Sequence, residues 1–377
     1  MPSRWVHLGL SLWRHLGYAW QPSGCAGWRQ HCLYVHIRQT SIAHRQQGRR
    51  GEKDLTWRDY LKYDPLPQFE GIDDEALQYQ VSRDLRGLNP GPVTSLWDLQ
   101  PLRKILKKQQ EDGFWKYPKK KTDPIEISGY KQLETFRQLG ILVEKYLLNR
   151  NHPSVQRAAE FLFSCQTEEG DFRGIYRDQY SPNYTAAYLE IMIKAGYIDD
   201  EPIERGLQWL LSIRQDDGGW VVPLRTEHLR WEEVIKLTEP VQPRREKPFS
   251  HMITGVVLRS FAAHPKYNRH PEILPAAERL ASRIFKADDY TDRKASDYWA
   301  RITFPFWFTD ILSTLDTLSR VGLSANNQNI REAIDWFVNQ QKRDGSWSLY
   351  LLKGAGYRYH SLWVALVICR MLKRFYG

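Results

Sequence analysis

One short turn occurs four times along this chain, and its spacing constrains the fold more than any other feature. The copies are Gln110 to Trp115, Gln166 to Phe172, Gln215 to Trp220 and Gln341 to Trp347. Each reads Gln, spacers, an acid, a glycine (Gly113, Gly170, Gly218, Gly345), one further residue and an aromatic. Glycine supplies the positive φ that lets a chain leave a helix, and the acid can bond freed backbone N–H groups. Apolar residues returning at three and four positions, as from Val155 to Ala158 and from Ile330 to Ala333, predict amphipathic helices with one buried face.

A second helix is expected after each turn, marked near its start by a hydroxyl: Thr135, Thr185, Thr254, Thr309 and Ser361, which are 50, 69, 55 and 52 residues apart. The unit is an outer helix, a turn, a variable loop and an inner helix, present at least five times, and such units stack because none buries its apolar face alone. Around Arg283 to Trp299 the turn is lost. Residues Glu75 to Leu88 supply a further helix that closes a ring, while Pro223, Pro240, Pro243 and Pro248 exclude a long helix between Val221 and Phe249.

The chain carries 15 Trp, 20 Tyr and 14 Phe, more flat apolar surface than packing usually demands. Its net charge of +10 gathers in residues 1–53, where eight Lys and Arg face the single acid Glu52; residues 54–377 hold 46 basic and 43 acidic side chains. A near-neutral body has no basic stripe, so nucleic acid is not an expected partner. Cys25 and Cys32 lie in the basic leader, and Cys165 and Cys369 lie in apolar helical patterns, so the compartment reads as reducing and the location as cytoplasmic. No run approaches the ~18 apolar residues of a membrane span. The leader, with Trp5, Trp13, Trp20 and Trp28, lacks the apolar run and cleavage site of a secretory signal. It reads either as a basic segment giving peripheral membrane contact or as non-native upstream sequence, dispensable for folding from about Asp54 onward.

From about residue 95 to 377 the turn resembles the glutamine-tryptophan repeat of triterpene cyclases, and the helix pairs resemble the α/α-toroid shared by terpenoid cyclases and protein prenyltransferase β-subunits. The resemblance implies an all-α fold, one toroid of concentric inner and outer helices over residues 54–377, with an aromatic-lined centre. Trp115, Trp220 and Trp347 are expected to staple successive helix pairs.

In squalene-hopene-type cyclases one inner helix begins with an Asp-x-Asp-Asp-Thr-Ala run whose middle Asp protonates an alkene. The matching run, Ser181 to Ala186, keeps Thr185 and Ala186 and has no carboxylate, leaving Tyr184 beside the retained pair. Prenyltransferase β-subunits have a Tyr-His-Thr helix start whose His binds zinc, to which Tyr359, His360 and Ser361 are similar. Their Asp-x-Cys should fall between Phe304 and Asp310, where no Cys stands, and one ligand cannot hold zinc. No metal and no cofactor are therefore expected. Asp288, Asp289 and Asp292 match an Asp-Asp-x-x-Asp magnesium-diphosphate motif, but they occupy the lost turn, where a solvated acidic loop is expected.

Asp310 follows Phe304, Phe306, Trp307 and Phe308, so a desolvated carboxyl could serve as a general acid. The alternative is an acid favoured by the dipole at a helix start. Asp310, His360, Tyr184 and His251 are expected to converge at the mouth of an apolar chamber walled by Phe304, Phe306, Trp307, Tyr359 and Trp363. Such a chamber suits a hydrophobic small molecule, an isoprenoid above all. Beside an isoprenoid-processing enzyme two classes stay open: a non-catalytic toroid holding a hydrophobic ligand or a protein partner, and a carbohydrate-active toroid with a carboxylate pair.

Overall fold

A computed structural model of the chain describes residues 56–118, 129–227, 229, 231–234, 236–290, 296–352 and 359–377. The expectations about the leader and about Asp292 concern residues outside these. Eleven helices carry the architecture of the described residues. They are α1 (Glu75–Asp84), α2 (Gln100–Leu106), α3 (Tyr130–Tyr146), α4 (Pro153–Ser164), α5 (Pro182–Lys194), α6 (Glu201–Ser212), α7 (His251–Ala263), α8 (Ile273–Ala281), α9 (Ile311–Val321), α10 (Gln328–Asn339) and α11 (His360–Tyr376).

Their amphipathicity sorts them into two layers. In α10 only the stripe Ile330, Ala333, Ile334 and Phe337 is buried, and in α8 the stripe Ile273, Ala276, Ala277, Leu280 and Ala281. By contrast α7 is buried nearly all round, as a helix enclosed by others must be. The odd-numbered helices touch in sequence, α1 to α3, α3 to α5, α5 to α7, α7 to α9 and α9 to α11, and α11 returns to α1. The even-numbered ones lie outside, each against its neighbours in that ring. This is an all-α α/α-toroid. A two-residue parallel pairing of Arg301–Ile302 with Tyr350–Leu351 is a minor addition. The stretch from Val221 to Phe249 holds a 3-10 turn at Pro223–Thr226 and one helical turn at Trp231–Val234. Cys165 and Cys369 are free, and among the described residues no helix is long and apolar enough to cross a membrane.

The repeated turn is the joint between helix pairs. In two turns the glutamine amide donates to a backbone carbonyl of the next outer helix, Gln109 to Ser154 and Gln166 to Pro202, while Gln215 donates to the carbonyls of Arg244 and Lys247 in the loop before α7. In the last copy Gln341 donates to Tyr63, which closes the ring onto the start of the described chain. In the first copy the working glutamine is thus Gln109, one residue before Gln110. Gly113 and Gly345 have φ of +87° and +80°, and a Cβ at either would run into a carbonyl oxygen, of Arg157 or of Asp64. The indole N–H groups of Trp115, Trp220 and Trp347 donate to Ile105, Leu210 and Phe337, each ten residues upstream in the preceding outer helix. Each tryptophan thus ties its turn to the outer helix of its own unit, and it is the bonds of Gln109 and Gln166, not the expected tryptophan staples, that cross to the next unit.

The inner-helix hydroxyls complete the joint. Thr135, Thr185 and Thr254 accept the backbone N–H of the turn aromatics Trp115, Phe172 and Trp220 at 3.2, 2.9 and 2.8 Å. Thr309 and Ser361 depart from this register. Thr309 precedes its helix and donates to Met252 O at 2.6 Å, and Ser361 is exposed. The residue four past the N-cap of α9, as Thr185 and Thr254 are of theirs, is Thr314. Its hydroxyl is buried without a partner because this copy has lost the turn that would supply an N–H. Thr254→Val is expected to lower stability by about 1–3 kcal/mol by orphaning a buried N–H, whereas Thr314→Val is neutral or stabilising. Equal urea midpoints for the two variants would contradict this account of the joint.

Where the turn is lost, Asp288 replaces it. Rather than lying in a solvated loop it is buried, its Oδ2 accepting from Ser250 Oγ (2.8 Å) and Met252 N (3.0 Å) and its Oδ1 from Tyr290 N (2.9 Å). It caps α7 from outside, satisfying an orphan N–H of that helix start. Asp289 remains exposed and lies 3.8 Å from Arg283.

Candidate functional site

The aromatic interior gathers where the segment before α9 meets α11, α3 and α7. Phe304 stacks on Trp363 at 6.0 Å between centroids and meets Phe306 edge-on at 5.8 Å. Arg259 of α7 lies over the Phe306 ring at 5.8 Å, and Lys145 of α3 over the Trp363 ring at 5.2 Å. Trp363 is oriented by its indole N–H, which donates to Asp74 Oδ2 at 3.1 Å, and Asp74 in turn caps α1 by accepting from Leu77 N at 3.0 Å. His360, three residues before Trp363 and so on the same face of α11, is buried with neither ring nitrogen hydrogen-bonded. Burial first, and the Lys145 charge second, lower His360 to about 4. Burial also lowers Lys145 to about 7 against the pull of Asp74.

The sequence-derived candidates divide between several settings. Phe304, Phe306, Trp363 and His360 come together as described. Tyr359 is the N-cap of α11, and its hydroxyl donates to Asp73. Trp307 turns to Phe136 at 5.5 Å, which lies 5.7 Å from Tyr188, and Tyr184 packs on Tyr188 at 6.2 Å and Tyr176 at 5.7 Å. His251 faces away from these rings: it stacks on Trp299 at 5.1 Å, bonds the Tyr298 hydroxyl and lies 3.4 Å from Asp288. As the first residue of α7 it follows the capped end toward Asp288. The expected convergence of Asp310, His360, Tyr184 and His251 on one mouth is therefore not assembled.

Asp310 is the N-cap of α9. It is wholly buried, with Oδ1 accepting from Ser313 N at 2.7 Å and Oδ2 from Thr303 N at 3.3 Å, and the Asp310 N–H donating in return to Ser313 Oγ at 2.9 Å. Burial raises its carboxyl to about 7, although those donors and Arg259 pull it down. Both oxygens are thus committed to backbone N–H groups.

The chamber itself also differs from expectation. Phe304, Phe306, Phe308 and Trp363 are all buried in one core, so the rings form a packed interior. Two open cavities lie elsewhere among the described residues. One of about 570 Å³ is lined by Trp57, Leu85, Arg86, Lys373 and Tyr376, and one of about 170 Å³ by Trp347, Leu349, Ser361 and Leu362. Among the described residues no group of three or more His, Cys, Asp or Glu side chains is placed to hold a metal ion.

Toward the C-terminal ends of the inner helices a belt of charges runs round the ring. Lys194 joins Glu144 (2.5 Å) and Glu190 (2.8 Å), and Glu190 joins Arg259 (2.9 Å). Asp316 takes Arg320 (2.9 Å) and Arg374, while Arg370 takes Asp84 and Gln80. Every inner helix contributes. Single charges within apolar runs, such as Leu189-Glu190-Ile191 and Leu258-Arg259-Ser260, were the sequence signal for this belt.

The sequence matches no protein-family model and no curated protein. Distant likenesses exist among solved structures. The type II terpene cyclase MstE from Scytonema, in complex with merosterolic acid A, has 12% identity and a TM-score of 0.32, covering 80% of this chain and 99% of that one. A glycosyl hydrolase of family 88 from Bacteroides vulgatus has 14% identity and a TM-score of 0.40, covering 82% and 93%. A polysaccharide lyase has 14% identity and a TM-score of 0.38, covering 80% and 89%. A terpene cyclase and two carbohydrate-active proteins stand side by side at such distances, and they select no activity.

Proposed function

We propose that this protein binds a hydrophobic small molecule of the isoprenoid kind within the ring, its apolar part against Phe304, Phe306 and Trp363 and its polar end at His360. One observation carries the reading: an imidazole buried beside aromatic faces with both nitrogens unpaired. Unpaired buried polar groups are rare, and they call for a partner that the described chain does not supply. Aromatic faces beside it favour an unsaturated or cationic apolar group. Because the rings now touch one another, the ligand takes the place of ring–ring contacts. Proton donation by Asp310 is not part of this reading, since its oxygens hold the start of α9.

Equilibrium binding of geranylgeraniol to the full chain tests it. Saturable binding is expected, weakened at least about tenfold in Trp363→Ala, since a buried aromatic anchor is typically worth 1.4 kcal/mol or more. Absence of saturable binding, or an affinity indifferent to Trp363, would overturn it.

A further inference from the structure

We propose that Lys145 is a covalent attachment point for a carbonyl-bearing hydrophobic ligand, held in the ring as an imine. This deepens the binding reading above and rests on it.

The geometry is specific. Lys145 is only 1% exposed, although it lies in the last turn of α3. Helical side chains lean toward the N-terminus, and this one reaches back along the ring axis until its Nζ lies over the Trp363 indole. Gln80 of α1 fixes the end of α3 by donating to the carbonyls of Glu144 (3.1 Å) and Lys145 (2.7 Å). The lysine therefore leaves the charge belt at its own helix end and faces the aromatic interior, beside the Asp74 carboxylate and the unpaired His360.

These groups suffice for reversible imine formation. The Nζ lone pair adds to the carbonyl carbon while the C=O π pair moves onto oxygen. A proton then passes from nitrogen to that oxygen, and His360 can accept it at one ring nitrogen and donate from the other. The second nitrogen proton then reaches that hydroxyl by the same route, and it leaves as water as the nitrogen lone pair forms the C=N bond. Amine and carbonyl give imine and water, with no oxidant or reductant required. When the imine nitrogen takes up one proton from solvent, the Trp363 face stabilises the resulting cation, and Phe304 and Phe306 hold the apolar remainder. Burial supports the step, because an amine titrating at about 7 is about half neutral at pH 7, against roughly one part in 10³ or less for an exposed lysine.

The test uses the full chain with citral, a short isoprenoid aldehyde, and cyanoborohydride at pH 7, mapped by peptide mass spectrometry, with geraniol binding measured in parallel. Lys145 should be labelled at least about 100 times faster than the exposed Lys107. His360→Ala should slow the labelling of Lys145 at least tenfold without changing that of Lys107. In Lys145→Arg the adduct should vanish while geraniol still binds. If geraniol binds saturably but Lys145 reacts no faster than Lys107, the imine is refuted and the binding reading stands. If neither geraniol nor citral binds, both are refuted.

Discussion

Glu190→Gln is expected to destabilise the protein by about 3–5 kcal/mol, the loss typical when one partner of a buried ion pair is removed. Glu190 is buried, and it accepts from Arg259 Nε at 2.9 Å and Lys194 Nζ at 2.8 Å. Burial alone would push its carboxyl up, but Arg259 and Lys194 outweigh burial and hold it below the ordinary glutamate range. Without that charge Lys194 still has Glu144. Arg259 does not fare so well: among the described residues it keeps one hydrogen bond, to the Phe308 carbonyl at 3.2 Å, and the Phe306 face, and its Nη2 already lacks a partner. The stranded guanidinium is therefore the main source of the loss. Combining Glu190→Leu with Arg259→Met should recover most of it, because an apolar pair of similar volume needs no counter-charge. Urea midpoints of the two single variants and the double variant measure the coupling. Strictly additive losses would mean that the pair does not act as a unit.

This belt also marks the limit of what the sequence discloses. Turn chemistry is local, so the Gly113 and Gly345 conformations were legible from spacing. The partners in the belt are not local. Glu190 and Arg259 are separated by 69 residues, Lys194 and Glu144 by 50, Arg370 and Asp84 by 286, and no short spacing announces such pairs. Register failed in two copies, at Thr309 and at Ser361, and in the first of them for a related reason. The start of α9 is fixed by the capping box between Asp310 and Ser313, which moves the aligned hydroxyl from Thr309 to Thr314. Three residues of spacing put His251 about one helical turn from Thr254, but only the distant Asp288, Tyr298 and Trp299 decide which way its ring faces. Asp310 was legible as a perturbed carboxyl. Its duty as a cap was weighed only as an acid near a helix dipole.

That duty gives Asp310 a second large effect, visible as a function of pH. Its carboxyl titrates at about 7 in the fold, against about 4 in an unfolded chain. Between those values the folded state binds the extra proton, so the contribution is fully present below about pH 4 and is lost as pH rises through 7. At ~1.4 kcal/mol per pH unit the difference reaches about 4 kcal/mol. His251 and His360 act in the opposite sense. Both are lowered to about 4, so their contribution is present above about 6.5 and is lost as pH falls toward 4. Two histidines outweigh the one carboxyl between about pH 4 and 6.5, leaving a net rise of ~1.4 kcal/mol per pH unit in the wild type, and the carboxyl has to be isolated by comparison with Asp310→Asn. The amide keeps an acceptor for Ser313 N, but it sets an N–H₂ group against Thr303 N, a penalty that does not vary with pH. The wild type should accordingly be the more stable of the two at pH 5, with the gap shrinking by about 2–3 kcal/mol by pH 8, since only the two pH units from 5 to 7 lie within the loss. Urea unfolding of both proteins at the two pH values decides the matter: a gap that stays constant would show that the buried carboxylate is ionised in the fold throughout, held by Ser313, Thr303 and Arg259 against its burial.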